Sequence, residues 1–171
     1  MSDVVTESSR LRIRRLRSAD AVSLQRVYGD PDATRWIGDG RTLSLEQCSQ
    51  WIETSRHEYD ARGYGLFALE SRATQDVVGF AGLLHPNGHP TPELKYALRK
   101  DQWGRGYATE AVRALLRHAV GLRIREIVAV VAPENGASIS VLLKVGMTPA
   151  GGRIDADGAY TQVFAWRSLA R

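Results

Sequence analysis

Residues 93 to 132 constrain most strongly what this chain can fold into. An alternating strand, Glu93-Leu94-Lys95-Tyr96-Ala97-Leu98, runs into a glycine-punctuated turn, Gln102-Trp103-Gly104-Arg105-Gly106-Tyr107-Ala108-Thr109. A helix follows at once, with Ala108, Ala111, Val112, Leu115, Leu116 and Ala119 at i, i+3, i+4, i+7, i+8 and i+11 on one face. The six-residue apolar run Ile127 to Ala132 then reads as a buried strand. Strand, turn, helix and strand in immediate succession demand a sheet covered by helices, so the fold class is α/β with a mixed sheet.

Around this unit the remaining elements fall into place. Residues 1–9 read as a flexible polar tail and residues 10–171 as a single domain, large enough to bury its own core without metals or disulfides. Leu11-Arg12-Ile13-Arg14 alternates as a first strand, with Leu11 and Ile13 inward and the arginines outward. Ser18 opens a first helix that ends near Gly29-Asp30-Pro31, and Ser44 with Gln47 forms a capping-box pattern for a second helix stopped near Gly63. Cys48 lies on that helix's apolar face and reads as a small core residue. Strands follow over 65–70 and 77–84, then a loop from His85 to Pro92 suited to line a binding mouth. After Ile127–Val131 come a helix over about 136–145, a C-cap at Gly146, and a final hairpin turning at Asp157-Gly158.

Composition removes several function classes. The longest apolar run falls far short of the ~20 residues that span a bilayer, and Asp3 and Glu7 interrupt any secretory apolar segment. The lone cysteine cannot form an intrachain disulfide, so a cytoplasmic location is expected. Lys and Arg total 23 against 19 Asp and Glu, a net +4 suited to anionic ligands. Arg10, Arg12, Arg14, Arg15 and Arg17 offer a nucleic-acid patch as an alternative to an edge strand, and nucleic acid is the disfavoured reading. His85 and His89 lack metal-ligand spacing and Asp155-Ala156-Asp157-Gly158 lacks the remaining calcium ligands, so no metal is expected.

A strand that feeds glycines into a helix N-terminus is a ready anion site, because unpaired amides point outward and the helix dipole favours negative charge. The same geometry also suits a tight turn with no ligand. No Gly-Lys-Ser/Thr follows, which excludes a Walker loop, and Thr109 stands where a dinucleotide fingerprint needs its third glycine. The run Trp103-Gly104-Arg105-Gly106-Tyr107-Ala108 resembles the phosphate-loop signature of the GNAT superfamily of acyl-CoA-dependent N-acyltransferases. Glu93…Tyr96…Leu98, Trp103 to Ala111, Asn135…Ser138 and Gly146-Met147 are similar to the branch that acetylates ribosomal-protein N-termini.

The resemblance covers Leu11 to Trp166 and implies the GNAT fold, a mostly antiparallel mixed sheet flanked by about four helices. It implies acetyl-CoA as co-substrate, with the amides of Gly104, Arg105, Gly106, Tyr107, Ala108 and Thr109 cradling the pyrophosphate. Leu98 and Asn135 would contact the pantetheine arm, Ser138 would lie near the sulfur as thiolate donor, and a homodimer is a further expectation. Three positions depart from the pattern. Trp103 stands at the first signature position in place of Gln or Arg, which this branch accepts. Leu142 stands where many relatives carry a tyrosine acid, and Lys95 replaces a glycine beside Glu93.

Amide formation needs a neutral amine. An α-amine with a pKa near 8 is about one-tenth neutral at pH 7, whereas a lysine near 10.4 is neutral at only about 4 in 10,000. One carboxylate therefore suffices for an N-terminal acceptor, and Glu93 is the candidate base. The expected activity is acetyl transfer to a primary amine, a protein N-terminus first and a small-molecule amine or antibiotic next, by direct attack in a ternary complex. A non-catalytic acyl-CoA-binding module is the alternative from another class.

Overall fold

The computed structural model describes residues 3–169. Its strands are β1 (Val4–Glu7), β2 (Leu11–Arg15), β3 (Leu66–Ser71), β4 (Val77–Leu84), β5 (Glu93–Leu98), β6 (Glu126–Val131), β7 (Thr148–Ile154) and β8 (Tyr160–Arg167). The helices are α1 (Ala21–Tyr28), α2 (Pro31–Thr34), α3 (Leu45–Arg62), α4 (Tyr107–Gly121) and α5 (Gly136–Lys144). All eight strands join one sheet in the order β1-β2-β3-β4-β5-β6-β8-β7. Every neighbouring pair is antiparallel except β5 with β6.

Alternation along the strands divides the core in two. Leu24 and Val27 of α1 and Cys48 and Ile52 of α3 join Leu66, Ala68, Phe80 and Ala97 in one cluster. Leu115 of α4 and Leu142 of α5 join Phe67, Leu69, Leu94 and Leu98 in the other. β3 is therefore buried on both faces, and each fully buried large side chain contributes about 1.5–3 kcal/mol.

The capping box of α3 forms as its spacing predicts. Gln47 N–H donates to Ser44 Oγ at 3.2 Å, Ser44 N–H donates to Gln47 Oε1 at 2.9 Å, and Gly63 closes the helix at φ 81°. The opening of α1 differs. Ser18 begins a 3₁₀ turn, and it is Asp20 that accepts the Arg17 N–H, at 2.7 Å.

Two further expectations need correction. The tail expected over residues 1–9 is in part a strand: Val4–Glu7 pairs with β2, because that strand's outer edge still offers backbone groups to a partner. Residues 1 and 2 of that tail lie outside the described residues. Nor does Arg14 point into solvent. The turn that opens α1 folds over β2 and brings Asp20 to it, so the Arg14 side chain is only 4% exposed. Its guanidinium donates to Asp20 at 2.8 and 2.9 Å and to Glu70 at 2.6 Å, and Arg12 adds a 3.1 Å bond to Glu70. Burial opposes the Arg14 charge, but the hydrogen bonds it donates to Asp20 and Glu70 outweigh that and raise the pKa.

This network makes Arg14 a fold-specific ion rather than a surface charge. Arg14→Ala leaves Asp20 buried without its cation and Glu70 with Arg12 alone, and a loss of about 3–5 kcal/mol is expected in urea unfolding. A loss below about 1 kcal/mol, the range of an exposed pair, would contradict the account.

Candidate active site

β5 and β6 meet at a single registered pair, Glu93 with Val128, where Val128 N–H donates to the Pro92 carbonyl at 3.0 Å. Each strand is held on its far side by six antiparallel pairs, β5 by β4 and β6 by β8. The two halves of the sheet twist as separate units and part beyond that point. Arg99 N–H donates to Val78 on β4 at 2.9 Å, so the odd-numbered residues of β5 turn their backbones towards β4. Tyr96 and Leu98 turn theirs into the gap. The Leu98 carbonyl there accepts the Trp103 indole N–H at 3.0 Å, which leaves its amide as the group facing the opening.

The gap is a cleft of about 570 Å³ that passes through the sheet, since it is lined by both Tyr96 and Ala97, neighbours of opposite facing. Gly104, Tyr107 to Thr109, Asn135 and Ser138 line one side, and Tyr28, Arg35, Trp36 and Ile37 the other. A second hollow of about 500 Å³ lies over Arg12, Arg14, Asp20 and Glu70, where those charges already satisfy one another.

Gly104 and Gly106 adopt φ of 72° and 78°, the left-handed region that turns β5 into α4. Space is not the reason for glycine at either position. An added Cβ would meet nothing within 4 Å at Gly104 and only Arg10 Nη2, at 3.5 Å, at Gly106. No side chain caps α4, whose first ladder bond is Glu110 N–H to the Gly106 carbonyl at 3.1 Å, so the amides of Tyr107, Ala108 and Thr109 remain as helix-end donors. Arg105 is exposed beside them.

A carboxylate in the first turn of α4 would repel an anion unless its charge were spent elsewhere. Glu110 accepts from Ser8 Oγ at 2.6 Å, Ser9 Oγ at 3.1 Å, Arg10 N–H at 2.8 Å and Arg10 Nε at 2.7 Å. Burial alone would raise its pKa, but the bonds from Ser8 and Arg10 hold it at about 2. Arg10 also donates to the Arg105 carbonyl at 2.9 Å and stacks 4.4 Å from the Tyr107 ring centre. The β1–β2 turn thus pins the glycine loop.

Deeper in the cleft, the Tyr96 hydroxyl lies 2.6 Å from Ser138 Oγ. Ser138 N–H donates to Asn135 Oδ1 at 3.1 Å, so the Asn135 side chain caps α5 while lining the cleft. Burial pushes the Tyr96 phenol up to about 12, against a lesser lowering by Ser138. Glu93, 3% exposed, is bound by the Lys95 ammonium, and it is Lys95 that reaches the cleft.

The structure therefore gathers Leu98, Gly104, Gly106 to Thr109, Asn135 and Ser138 around one opening, with Arg105 outside its lining, while Glu93 lies behind Lys95. Tyr96, which the sequence reading names only as a motif residue without a role, lines the cleft together with Arg35 and Trp36, which it does not single out. The parity of Tyr96 with Leu94 and Leu98 was the available signal. The His85–Pro92 loop does not line the cleft, because His85 is held by the Tyr64 hydroxyl at 2.8 Å and by the His89 carbonyl at 2.6 Å.

The Glu110 clamp carries a pH signature. A carboxylate depressed from 4.5 to about 2 stabilises the fold fully above the unfolded value and loses that contribution as pH falls through the folded one. Glu110→Gln should therefore be less stable than the parent at pH 7. The difference in urea midpoint should shrink between pH 4.5 and about 2, and a constant difference would contradict the assignment.

Comparison with known proteins agrees with this architecture. Residues 10–148 match the acetyltransferase (GNAT) domain family. YoaA, an uncharacterized N-acetyltransferase of Bacillus subtilis, is 27% identical over 149 residues, which cover 86% of this chain and 84% of that protein. An acetyltransferase of Agrobacterium tumefaciens superposes with a TM-score of 0.81 at 26% identity, over 95% of this chain and 94% of that one. RimL, a ribosomal alpha-N-protein acetyltransferase solved with coenzyme A, gives 0.80 at 18% identity over 96% and 97%, and shares the fold. The matched residues include β2, the split between β5 and β6, the glycine loop and α4, and on that ground the chain belongs to the GNAT acetyltransferase family.

Proposed function

We propose that the protein transfers an acetyl group from acetyl-CoA to a primary amine by direct attack in a ternary complex. The observation that carries this reading is a cleft running through the sheet with a bare helix N-terminus at one mouth. Both reactants reach one point from opposite faces, and no covalent enzyme intermediate is needed. A co-substrate bearing pyrophosphate fits the uncapped end of α4, and RimL binds coenzyme A on the same fold.

In this mechanism the amides of Gly104, Arg105, Gly106, Tyr107, Ala108 and Thr109 hold the pyrophosphate, with the Arg105 cation beside them. Leu98 offers its amide, and Asn135 its side chain, along the pantetheine arm. The amine enters from the α1–α2 side and attacks the thioester carbonyl. The C–N bond forms, the C–S bond breaks, and the amine proton passes through water to Glu93, which is set back from the cleft and paired with Lys95. An α-amine already partly neutral at pH 7 needs little from a base so placed, which favours a protein N-terminus over a lysine-like amine.

Ser138 delivers a proton to the departing thiolate and recovers one from Tyr96 across their 2.6 Å contact, and Tyr96 regains its proton from solvent through the cleft before the next turnover. With its pKa near 12, Tyr96 stays protonated through the neutral range and serves as the standing donor in place of the tyrosine absent at Leu142.

Release of CoA thiol with a panel of α-amino peptides and small amines tests the activity. Tyr96→Phe and Ser138→Ala are each expected to lower kcat by about 10²-fold, with little change in KM for acetyl-CoA. Because the two act as one relay, the double variant should lose about as much as either alone. Losses that multiply, or a Tyr96→Phe enzyme with full turnover, would remove the relay.

A further inference from the structure

We propose that the acceptor is an amine carrying a carboxylate or phosphate a few bonds from its nitrogen, and that Arg35 receives this anionic group. The proposal rests on the acetyl-transfer reading and adds the class of acceptor. It comes from the charges at the mouth opposite the glycine loop, where the segment from α2 to Ile37 shares the lining with Tyr28 and Lys95.

Most of the charge at that mouth is already spent. Asp32 is held by the Lys100 ammonium, whose hydrogen bond keeps its carboxyl below the usual range. Lys95 is bound to Glu93. Arg35 differs: among the described residues no carboxylate lies within ion-pair distance of it, and it is exposed. Its guanidinium carbon lies 4.7 Å from the Trp36 ring centre, a cation–π contact that restrains the side chain at the mouth. A planar guanidinium fork suits bidentate binding of carboxylate or phosphate.

Arg35 acts on the Asp32 carboxyl only through space, as the least of the influences there, so a cation without an ion-pair partner remains to act on the acceptor in two ways. It repels polyamines, aminoglycoside-like amines and lysine side chains, all of which bring further positive charge. It also lowers the pKa of an incoming ammonium, raising the neutral fraction that can attack. Trp36, 40% exposed, and half-buried Ile37 supply an apolar wall for the rest of the acceptor.

The test compares kcat/KM for CoA release across matched amines. An alanyl-glutamate amide is set against an alanyl-lysine amide for the peptide source. Free glutamate and phosphoethanolamine are set against putrescine for the small-molecule source. Acetyl-CoA binding to each enzyme is measured separately by equilibrium dialysis. The anionic member of at least one set should be preferred by about tenfold or more, with the preference weakening as salt rises. Arg35→Ala should bring the pair to parity and Arg35→Glu should reverse it, with acetyl-CoA affinity unchanged. Equal use of cationic acceptors, a preference that survives Arg35→Glu, or no turnover of any anionic member would overturn the proposal. Absence of acetyl-CoA binding in the dialysis would overturn the acetyl-transfer reading itself, and the proposal with it.

Discussion

The parallel contact between Glu93 and Val128 is the interaction on which the rest of this structure depends. A second or third pair between β5 and β6 would close the sheet and leave no passage through it. The single pair survives because each strand is already satisfied on its outer side by a full antiparallel ladder. The cost of opening falls on a few backbone groups, of which the Leu98 carbonyl is satisfied by Trp103. Hydrophobic burial on both faces holds the two halves together around the gap.

The mouths of the cleft differ in how their charges are arranged. On the α4 side the only first-turn carboxylate, Glu110, is consumed by Ser8, Ser9 and Arg10, which also fasten the glycine loop. That side keeps its amide donors, with Arg105 beside the loop and Lys144 in the cleft lining. On the α2 side the carboxylate is consumed by Lys100, and Arg35 is left over. Between the mouths lies Tyr96 against Ser138, two hydroxyls from elements 42 residues apart in sequence.

Much of the fold was legible because it is periodic. The helical spacing from Ala108 to Ala119, the Ser44–Gln47 box and the alternation of Glu93 to Leu98 each act within one element, and each element formed where expected. The glycine loop was legible for the same reason: its positive φ angles are a local demand. Pairing between distant elements was not. Nothing in β5 or β6 states that their ladder stops after one pair, so the meeting of Tyr96 with Ser138 and the retreat of Glu93 behind Lys95 had no local signal. Arg14 shows the same limit. Its alternation with Ile13 correctly separates the faces of β2, yet whether the second face meets water depends on the turn at Ser18–Asp20, which no period in β2 records.

The central claim is that the end of α4 and the split sheet form one acyl-CoA site held by backbone amides and charge. Calorimetric titration of acetyl-CoA into the parent, Gly106→Asn and Gly106→Asp proteins tests it most directly. Asn and Asp have nearly the same shape and both tolerate the left-handed backbone, so their difference isolates the charge. The account predicts binding to the parent, retained with modest weakening in the Asn variant and lost by a further factor of about ten or more in the Asp variant. No binding to the parent at millimolar acetyl-CoA, or equal binding by the Asn and Asp variants, would contradict it.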